Sequence, residues 1–305
     1  MSRSRSFATA GVALAIASFV ACSEPGSTGV TSNTSASLDR AGFDQAGAHR
    51  QYGAAQQVGN GTVRTYIVTD QKNGGRPLEV GVALSEQALE GLPAPVESTD
   101  PMANMHMYTL ELPARNPTQY KFVQFDWNPK GHEPDSVYTY AHFDFHFYTV
   151  PVEVRNSILP SDPQYAAKAA NNPPASAIPP FYFEPASALG IPPEAAAVPM
   201  MGMHWLDLRS PEIQGMLGNP DGYKPFTSTF IYGAWDGQLI FMEPMITRSH
   251  ILAKRDATDP AVRDQVIPIA TSPSFPAGGF RPDAYRIAWD AQSREFRIAL
   301  IVTGG

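Results

Sequence analysis

Two histidines and an aspartate alternate with aromatic residues in the segment YTYAHFDFHFYTV, which runs from Tyr138 to Val150. Successive side chains of a β-strand point to opposite faces of the sheet. His142, Asp144 and His146 therefore share one face of the predicted strand, and the phenylalanines between them share the other. Imidazole nitrogens and carboxylate oxygens are common ligands of Zn(II), Fe(II) and Mn(II). The segment predicts either one wall of a metal site or a strand face of solvated or hydrogen-bonded polar side chains.

Strand geometry limits which of these side chains can reach the same ion. Neighbours on one face are about 6 to 7 Å apart, so Asp144 and one histidine can meet at one ion. His142 and His146 are about 13 Å apart in a regular strand, which is too far for a shared ion unless a β-bulge bends the strand. A complete site therefore needs ligands from other segments.

Two downstream segments offer such ligands. PMMGMHWLD places His204 in a stretch rich in Gly and Met, and LIFMEPMIT places Glu243 among apolar residues. A carboxylate in apolar surroundings must be paired, metal-bound or neutral, because an unpaired buried charge is very costly. We predict one divalent ion, Zn, Fe or Mn, held by His146, His204 and Glu243. His142 and Asp144 are further candidates, Asp144 either as a ligand or as a group that orients one.

The same residues leave an alternative open. His132 and Glu133 lie in a polar loop before the key strand, where they would flank the mouth of a cavity or form a surface turn. If the histidines are only hydrogen-bonded and Glu243 pairs with Arg248, the protein would be a non-catalytic ligand-binding, structural or oligomerising module. The groove or subunit contact of that module would be lined by aromatic rings, those of Trp127, Tyr138, Trp205 and Trp235.

The elements around these residues predict a mainly β protein. Strand candidates rich in β-branched and aromatic residues recur from Thr62 onward, separated by turn signals such as Asp236-Gly237. Helical periodicity is confined to a few short segments. Residues 171–199 are rich in Pro and Ala and carry aromatic anchors, which indicates a long ordered loop. We predict a single domain over residues 59–305, folded as an antiparallel barrel or sandwich.

Composition narrows the partners and reactions. The chain has 305 residues and a formal net charge of -7, with no basic run that would neutralise phosphates, so nucleic acid is not an expected partner. The sequence contains no glycine-rich nucleotide motif and no Gly-x-Ser-x-Gly nucleophile motif. If the protein is an enzyme, metal-assisted hydrolysis and an oxygen-dependent reaction are both open, and so is a homo-oligomeric state.

The first 22 residues combine Arg3 and Arg5 with an apolar run that ends near Cys22. This pattern is typical of an export signal, and the run is shorter than the roughly 20 apolar residues that a membrane span needs. FVAC resembles the lipobox of bacterial lipoproteins, although Phe19 replaces the usual aliphatic residue. The resemblance implies a lipid anchor on Cys22 and an extracytoplasmic protein of the cell envelope, anchored or secreted. Residues 23–58 are rich in Ser, Thr, Gly and Ala and are predicted to be a flexible tether.

Three segments, AHFDFHFY, MGMHW and FTSTFIYGAWDGQLIFMEPMIT, together resemble a domain family of unknown function found in secreted bacterial proteins and lipoproteins. The resemblance covers most of residues 62–252 and implies an extracytoplasmic β-rich domain without an established activity. The ligand set is also similar, by analogy only, to that of cupins, whose barrel holds a metal with three histidines and a glutamate. The cupin His-x-His pair is His-x-Asp-x-His in this chain, and the cupin glycine pattern is absent.

Overall fold

The computed structural model describes residues 47–98, 100–134 and 136–303. The predicted export signal, Cys22 and the first part of the predicted tether lie outside the described residues. The described strands are β1 (Ala48–Tyr52), β2 (Gln56–Val58), β3 (Gly61–Asp70), β4 (Arg76–Ser85), β5 (His106–Glu111), β6 (Phe122–Asn128), β7 (His142–Tyr148), β8 (Tyr182–Phe183), β9 (Met203–Asp207), β10 (Ser228–Trp235), β11 (Gln238–Thr247), β12 (Asp264–Pro268), β13 (Ala284–Asp290) and β14 (Glu295–Ile301). The helices are α1 (Val152–Asn156), α2 (Tyr165–Ala170), α3 (Pro185–Leu189), α4 (Pro193–Ala196), α5 (Pro211–Met216), α6 (Arg248–Asp256) and α7 (Pro260–Arg263).

The strands form two antiparallel sheets of seven strands each. The first sheet has the order β1-β3-β4-β14-β13-β12, with β2 also paired to β3, and the second has the order β5-β6-β7-β11-β10-β9-β8. Neither sheet closes on itself within the described ranges, so the fold is a sandwich rather than a barrel. The prediction of a mainly β, antiparallel protein with a few short helices is confirmed.

One apolar cluster joins the two sheets. Val80 and Ile298 of the first sheet belong to the same buried cluster as Phe125 and Phe143 of the second. The rings of Phe125 and Phe143 stack with their centroids 5.2 Å apart, and the Trp127 ring lies 4.7 Å from Phe143. Removing these large aromatic surfaces from water favours folding. The phenylalanine face of β7 is therefore a core face, as the alternation predicts.

The opposite face of the second sheet is also buried. A separate apolar cluster packs Val137, Tyr138 and Phe226, which come from connecting segments, against Ile231 of β10 and Met245 of β11. The rings of Tyr138 and Phe226 meet edge to face at 5.1 Å. Because of this cover, all seven residues of β7 are buried, including its polar ones. The His/Asp face of the strand is thus neither solvated nor the interior of a barrel.

The hairpin of β10 and β11 sets the register of the second sheet. Asp236 and Gly237 at its turn have φ angles of 47° and 79°. Positive φ at both central positions is the requirement of a tight type I′ turn, which Asp-Gly satisfies. With this turn and a β-bulge between Gly233 and Ala234, Ile231 lies opposite Glu243 in the ladder.

Two predicted segments contain more regular structure than their sequences indicate. The tether was predicted to extend through residue 58, but β1 and β2 pair with β3 from Ala48 onward, and the Arg64 guanidinium lies 3.6 Å from the centre of the Tyr52 ring. Backbone pairing orders this segment although it lacks aliphatic periodicity. Residues 171–199 contain α3, α4 and the strand β8, which pairs with β9, rather than a loop alone. Every helix in the described ranges is too short or too polar to cross a membrane.

Candidate metal centre

Strands β6 and β7 carry a strip of buried polar side chains on the outer face of the second sheet. These side chains pair across the two strands, Gln124 with His146, Asp126 with Asp144, and Asn128 with His142. Residues directly opposite in an antiparallel ladder share a face. The polar alternation of β7 is therefore matched residue for residue by that of β6.

His146, His204 and Glu243 come together beside this strip, and we call them the inner group. Nε2 of His146 lies 3.4 Å from Oε1 of Glu243, and Nε2 of His204 lies 3.6 Å from Oε2 of the same carboxylate. One donor atom from each residue lies within 4.8 Å of the other two. Donor atoms that bind one ion tetrahedrally at about 2.0–2.2 Å stand about 3.3–3.6 Å apart. The spacing of the inner group therefore suits ligands of one ion.

Sheet order brings the three residues of the inner group together. β11 lies beside β7, so Glu243 stands next to His146, and β10 separates β11 from β9, which carries His204. Gly233 of β10 pairs with His204 on one side and with Phe241 of β11 on the other. The Phe241 ring packs edge-on against both imidazoles, 4.9 Å from His146 and 5.3 Å from His204. Phe241 therefore restrains the orientation of both imidazole rings.

Several polar atoms of the inner group lack hydrogen-bond partners within the described residues. Both ring nitrogens of His146, Nδ1 of His204 and Oε2 of Glu243 are buried and unpaired. Buried polar atoms in folded proteins are nearly always paired, so a cluster of unpaired ones requires an explanation. Nε of Arg248 donates to the carbonyl of Leu89. The ion-pair contacts of Glu243 within the described residues are with His146 and His204, so the alternative pairing with Arg248 is not formed. A cation between the imidazoles and the carboxylate would satisfy Nε2 of His146 and Oε2 of Glu243 together.

Burial sets the protonation states of the inner group. It lowers the pKa of His146 to about 3 and that of His204 to about 4. Both imidazoles are therefore neutral near pH 7, the form that binds a metal. Burial, followed by the charges of Asp144 and Asp126, raises the pKa of Glu243 well above its ordinary value. Without a cation this carboxyl favours its protonated form, and a bound cation would favour the carboxylate.

Asp126 is a part of the site that the sequence analysis missed. Its Oδ2 atom lies 3.3 Å from Nδ1 of His146, the ring nitrogen that does not face Glu243. Gln124 donates to the same oxygen at 2.8 Å. Metal-binding histidines commonly have a carboxylate or carbonyl at their second nitrogen, which fixes the tautomer and the ring. The alternation of Gln124, Asp126 and Asn128 with apolar residues in VQFDWN was the available signal.

His132, His142 and Asp144 form a second cluster, which we call the outer group. Nε2 of His142 lies 3.2 Å from Oδ1 of Asp144, and Nε2 of His132 lies 3.5 Å from Oδ2. Burial alone would raise the pKa of Asp144, but His142 and His132 hold that pKa well below its ordinary value. Burial alone would lower the pKa of His132, but the contact with Asp144 raises it. Donor atoms of the outer group also lie within 4.8 Å of one another.

The structure divides the five predicted ligands between the two groups. His146 lies in the inner group with its two predicted partners, whereas His142 lies in the outer group, and β7 pairs with β6 without a bulge. Asp144 contacts the histidines of the outer group, and Asp126 takes the orienting position beside His146. His132, predicted at a cavity mouth or in a surface turn, is a member of the outer group. The Glu133 side chain is exposed and belongs to neither group.

The aromatic residues of the alternative interpretation do not form a surface. Each of these four side chains is at most 8% exposed. They are Trp127, Tyr138, Trp205 and Trp235. Trp127 belongs to the cluster between the sheets, and its indole N–H donates to the carbonyl of Pro93 at 2.9 Å. These rings therefore serve packing in the described fold rather than an open groove.

Comparison with known proteins yields one partial match. Residues 73–127 match a family model described as TTHB210-like, hypothetical protein TTHB210. The matched range ends in β6 and includes Asp126, but it contains none of the five predicted ligands and none of the three segments that carried the resemblance. No curated protein and no solved structure matches the chain. The match is consistent with a domain of unknown function.

Proposed function

We propose that this protein is a divalent-metal-binding protein of the bacterial cell envelope whose inner group holds one ion. The observation that carries the proposal is the state of His146, which is buried with both ring nitrogens unpaired. One of these nitrogens lies 3.4 Å from Glu243, which in turn lies 3.6 Å from His204. Two imidazoles and a carboxylate match the donor sets of catalytic Zn(II) and of non-haem Fe(II), and Mn(II) accepts them too.

Three protein ligands leave a coordination position for water or substrate. A metal in such a site lowers the pKa of bound water or polarises a bound oxygen. The side chain of His204 is 17% exposed, whereas those of His146 and Glu243 are 1% exposed, so small molecules would approach from the His204 side. Metal-assisted hydrolysis and an oxygen-dependent reaction both fit this arrangement. The lipobox-like sequence at Cys22 supports an extracytoplasmic, lipid-anchored location.

Metal affinity of the untagged protein and of matched variants tests the proposal. We expect the substitutions His204→Gln and Glu243→Gln to weaken Zn(II) binding by more than about 100-fold, because losing a ligand costs more than losing an outer partner, worth about 10–100-fold. The control His49→Gln removes an exposed histidine on β1 and should leave affinity unchanged. If both ligand variants bind Zn(II), Fe(II) and Mn(II) like the wild type, the proposed site is wrong.

A further inference from the structure

The outer group has the hydrogen-bonding pattern of a preorganised metal site. Nδ1 of His142 lies 2.7 Å from the carbonyl oxygen of Tyr140, and Nδ1 of His132 lies 2.7 Å from the carbonyl oxygen of Glu133. A carbonyl can only accept, so each Nδ1 carries a proton and donates it. This leaves Nε2 of each ring directed at Asp144. A backbone carbonyl at one nitrogen, with the other nitrogen free to bind, is typical of metal-ligating histidines.

The carboxylate of the outer group is held in place but not satisfied. Asn128 donates to Oδ2 of Asp144 at 2.7 Å, which anchors the side chain. Oδ1 of Asp144 and Nε2 of His142 are both buried without a hydrogen-bond partner, although only 3.2 Å separates them. Two acceptors at this distance require either a proton on Nε2 of His142 or a cation between the two atoms. The 3.2 Å and 3.5 Å separations also match donors around one ion, which stand about 3.3–3.6 Å apart.

We propose that His132, His142 and Asp144 form a second divalent-metal site, separate from the inner group. The two groups share no ligand, so this site does not depend on the proposed function. Its ion would have one ligand from the segment that connects β6 to β7 and two from β7 itself. The backbone N–H of His132 donates to the carbonyl of Tyr138 at 3.1 Å, and Tyr138 is part of the apolar cover. An ion at the outer group would therefore fasten this cover to the sheet.

The number of bound Zn(II) ions tests the second site. We expect the full chain to bind two equivalents, the variants His132→Gln and His204→Gln one each, and the double variant none. His49→Gln is the control and should retain two. His132→Gln is a mild substitution because its side chain is 30% exposed and lies in a connecting segment. Circular dichroism melting curves of the metal-free proteins confirm that each variant folds.

The outcomes separate the two proposals. If His132→Gln binds as many ions as the wild type, the second site is refuted, and His132 and Asp144 form an ordinary ion pair. If His204→Gln binds as many ions as the wild type while His132→Gln loses one, the inner site is refuted and the second stands. Asp144→Asn is the second test variant, because the amide keeps the shape of the side chain beside Asn128 and should lose the same equivalent as His132→Gln.

Discussion

Asp126 acts on the inner group through His146 rather than through the ion. Its carboxylate lies 3.3 Å from Nδ1 of His146 and is held by Gln124. We expect Asp126→Asn to weaken Zn(II) binding by about 10–100-fold, the usual effect of losing the outer partner of a ligating histidine. The titration is performed with His132→Gln as background, so that only the inner group is measured.

The matched control for Asp126→Asn is Glu212→Gln, which neutralises a buried carboxyl in α5 outside both groups. It should leave the affinity unchanged. Equal affinity of the Asp126→Asn variant and its background would show that Asp126 plays no part in holding His146.

Protonation of Glu243 makes metal binding pH-dependent. Burial, followed by Asp144 and Asp126, raises the pKa of this carboxyl, and a ligand carboxyl must lose its proton before it binds. His146 and His204, with pKa values of about 3 and 4, release no protons above about pH 5.5. As pH falls from about 7 to 5.5, we expect weaker Zn(II) binding, because each bound ion must displace the proton of Glu243.

Calorimetry in two buffers of different ionisation enthalpy measures those protons, again with His132→Gln as background. The apparent binding enthalpy should differ between the buffers, because the displaced protons are taken up by the buffer. An enthalpy that is the same in both buffers over this pH range would contradict the protonated state of Glu243.

Residue chemistry made part of the site predictable. Glu243 stands out because an acid in an apolar strand needs a partner. His204 stands out because it lies in a stretch rich in Gly and Met. The fixed rise per residue of a strand predicted that His142 and His146 of β7 cannot bind the same ion. Asp126 and His132 were not found as ligands or partners, since their positions depend on strand pairing and on the path of a connecting segment.

At the level of elements, Gly233 of β10 leaves room for the Phe241 ring that packs against the inner group. A Cβ atom at this position would overlap the Phe241 ring, which packs on both His146 and His204. We expect Gly233→Ala to lower the free energy of unfolding by about 1–3 kcal/mol through overpacking. Zn(II) affinity should fall as well, because a displaced ring no longer restrains the imidazoles.

Urea denaturation and Zn(II) titration of the same preparations measure both effects. Gly279→Ala is the control, since nothing lies within 4 Å of a Cβ atom placed there. Unchanged stability of the Gly233→Ala variant would mean that Phe241 can move freely, which is contrary to the packing described above.

Strands with strong alternation or turn signals were predictable, and short edge strands were not. β7 and the hairpin of β10 and β11 carry period-2 patterns and an Asp-Gly turn. β1 and β8 have five and two residues and owe their conformation to pairing with β3 and β9. Tertiary pairing of this kind leaves little trace in local sequence.

At the scale of the whole molecule, the alternation of apolar and polar residues does not distinguish a barrel from a sandwich. Both architectures bury one face of each strand and have the same period of two. The choice depends on whether the edge strands meet, and in the described fold the edges β1 and β12 of the first sheet remain unpaired with each other. The outer face of the second sheet was also unpredictable, because a separate cover buries it.

We predict that the protein is attached to the membrane through a lipid on Cys22. Cys22 is the only cysteine, and it follows the apolar run of the predicted export signal. We expect the full chain, expressed in a bacterium, to fractionate with membranes and to carry a lipid on Cys22, because lipidation there is what the lipobox-like sequence implies.

The Cys22→Ser variant should lose the lipid and move to the soluble or secreted fraction, whereas Ser27→Ala should behave as the wild type. Membrane fractionation with mass spectrometry of the N-terminal peptide measures both. A Cys22→Ser protein that stays with the membrane would contradict a lipid anchor at this position.

The most direct test of the inner site is anomalous X-ray scattering from crystals grown with Zn(II), recorded at the zinc absorption edge. We expect an anomalous peak about 2.0–2.2 Å from Nε2 of His146, Nε2 of His204 and a carboxylate oxygen of Glu243. The contrary result is a map with no peak there, in which water or protein atoms form hydrogen bonds with both ring nitrogens of His146.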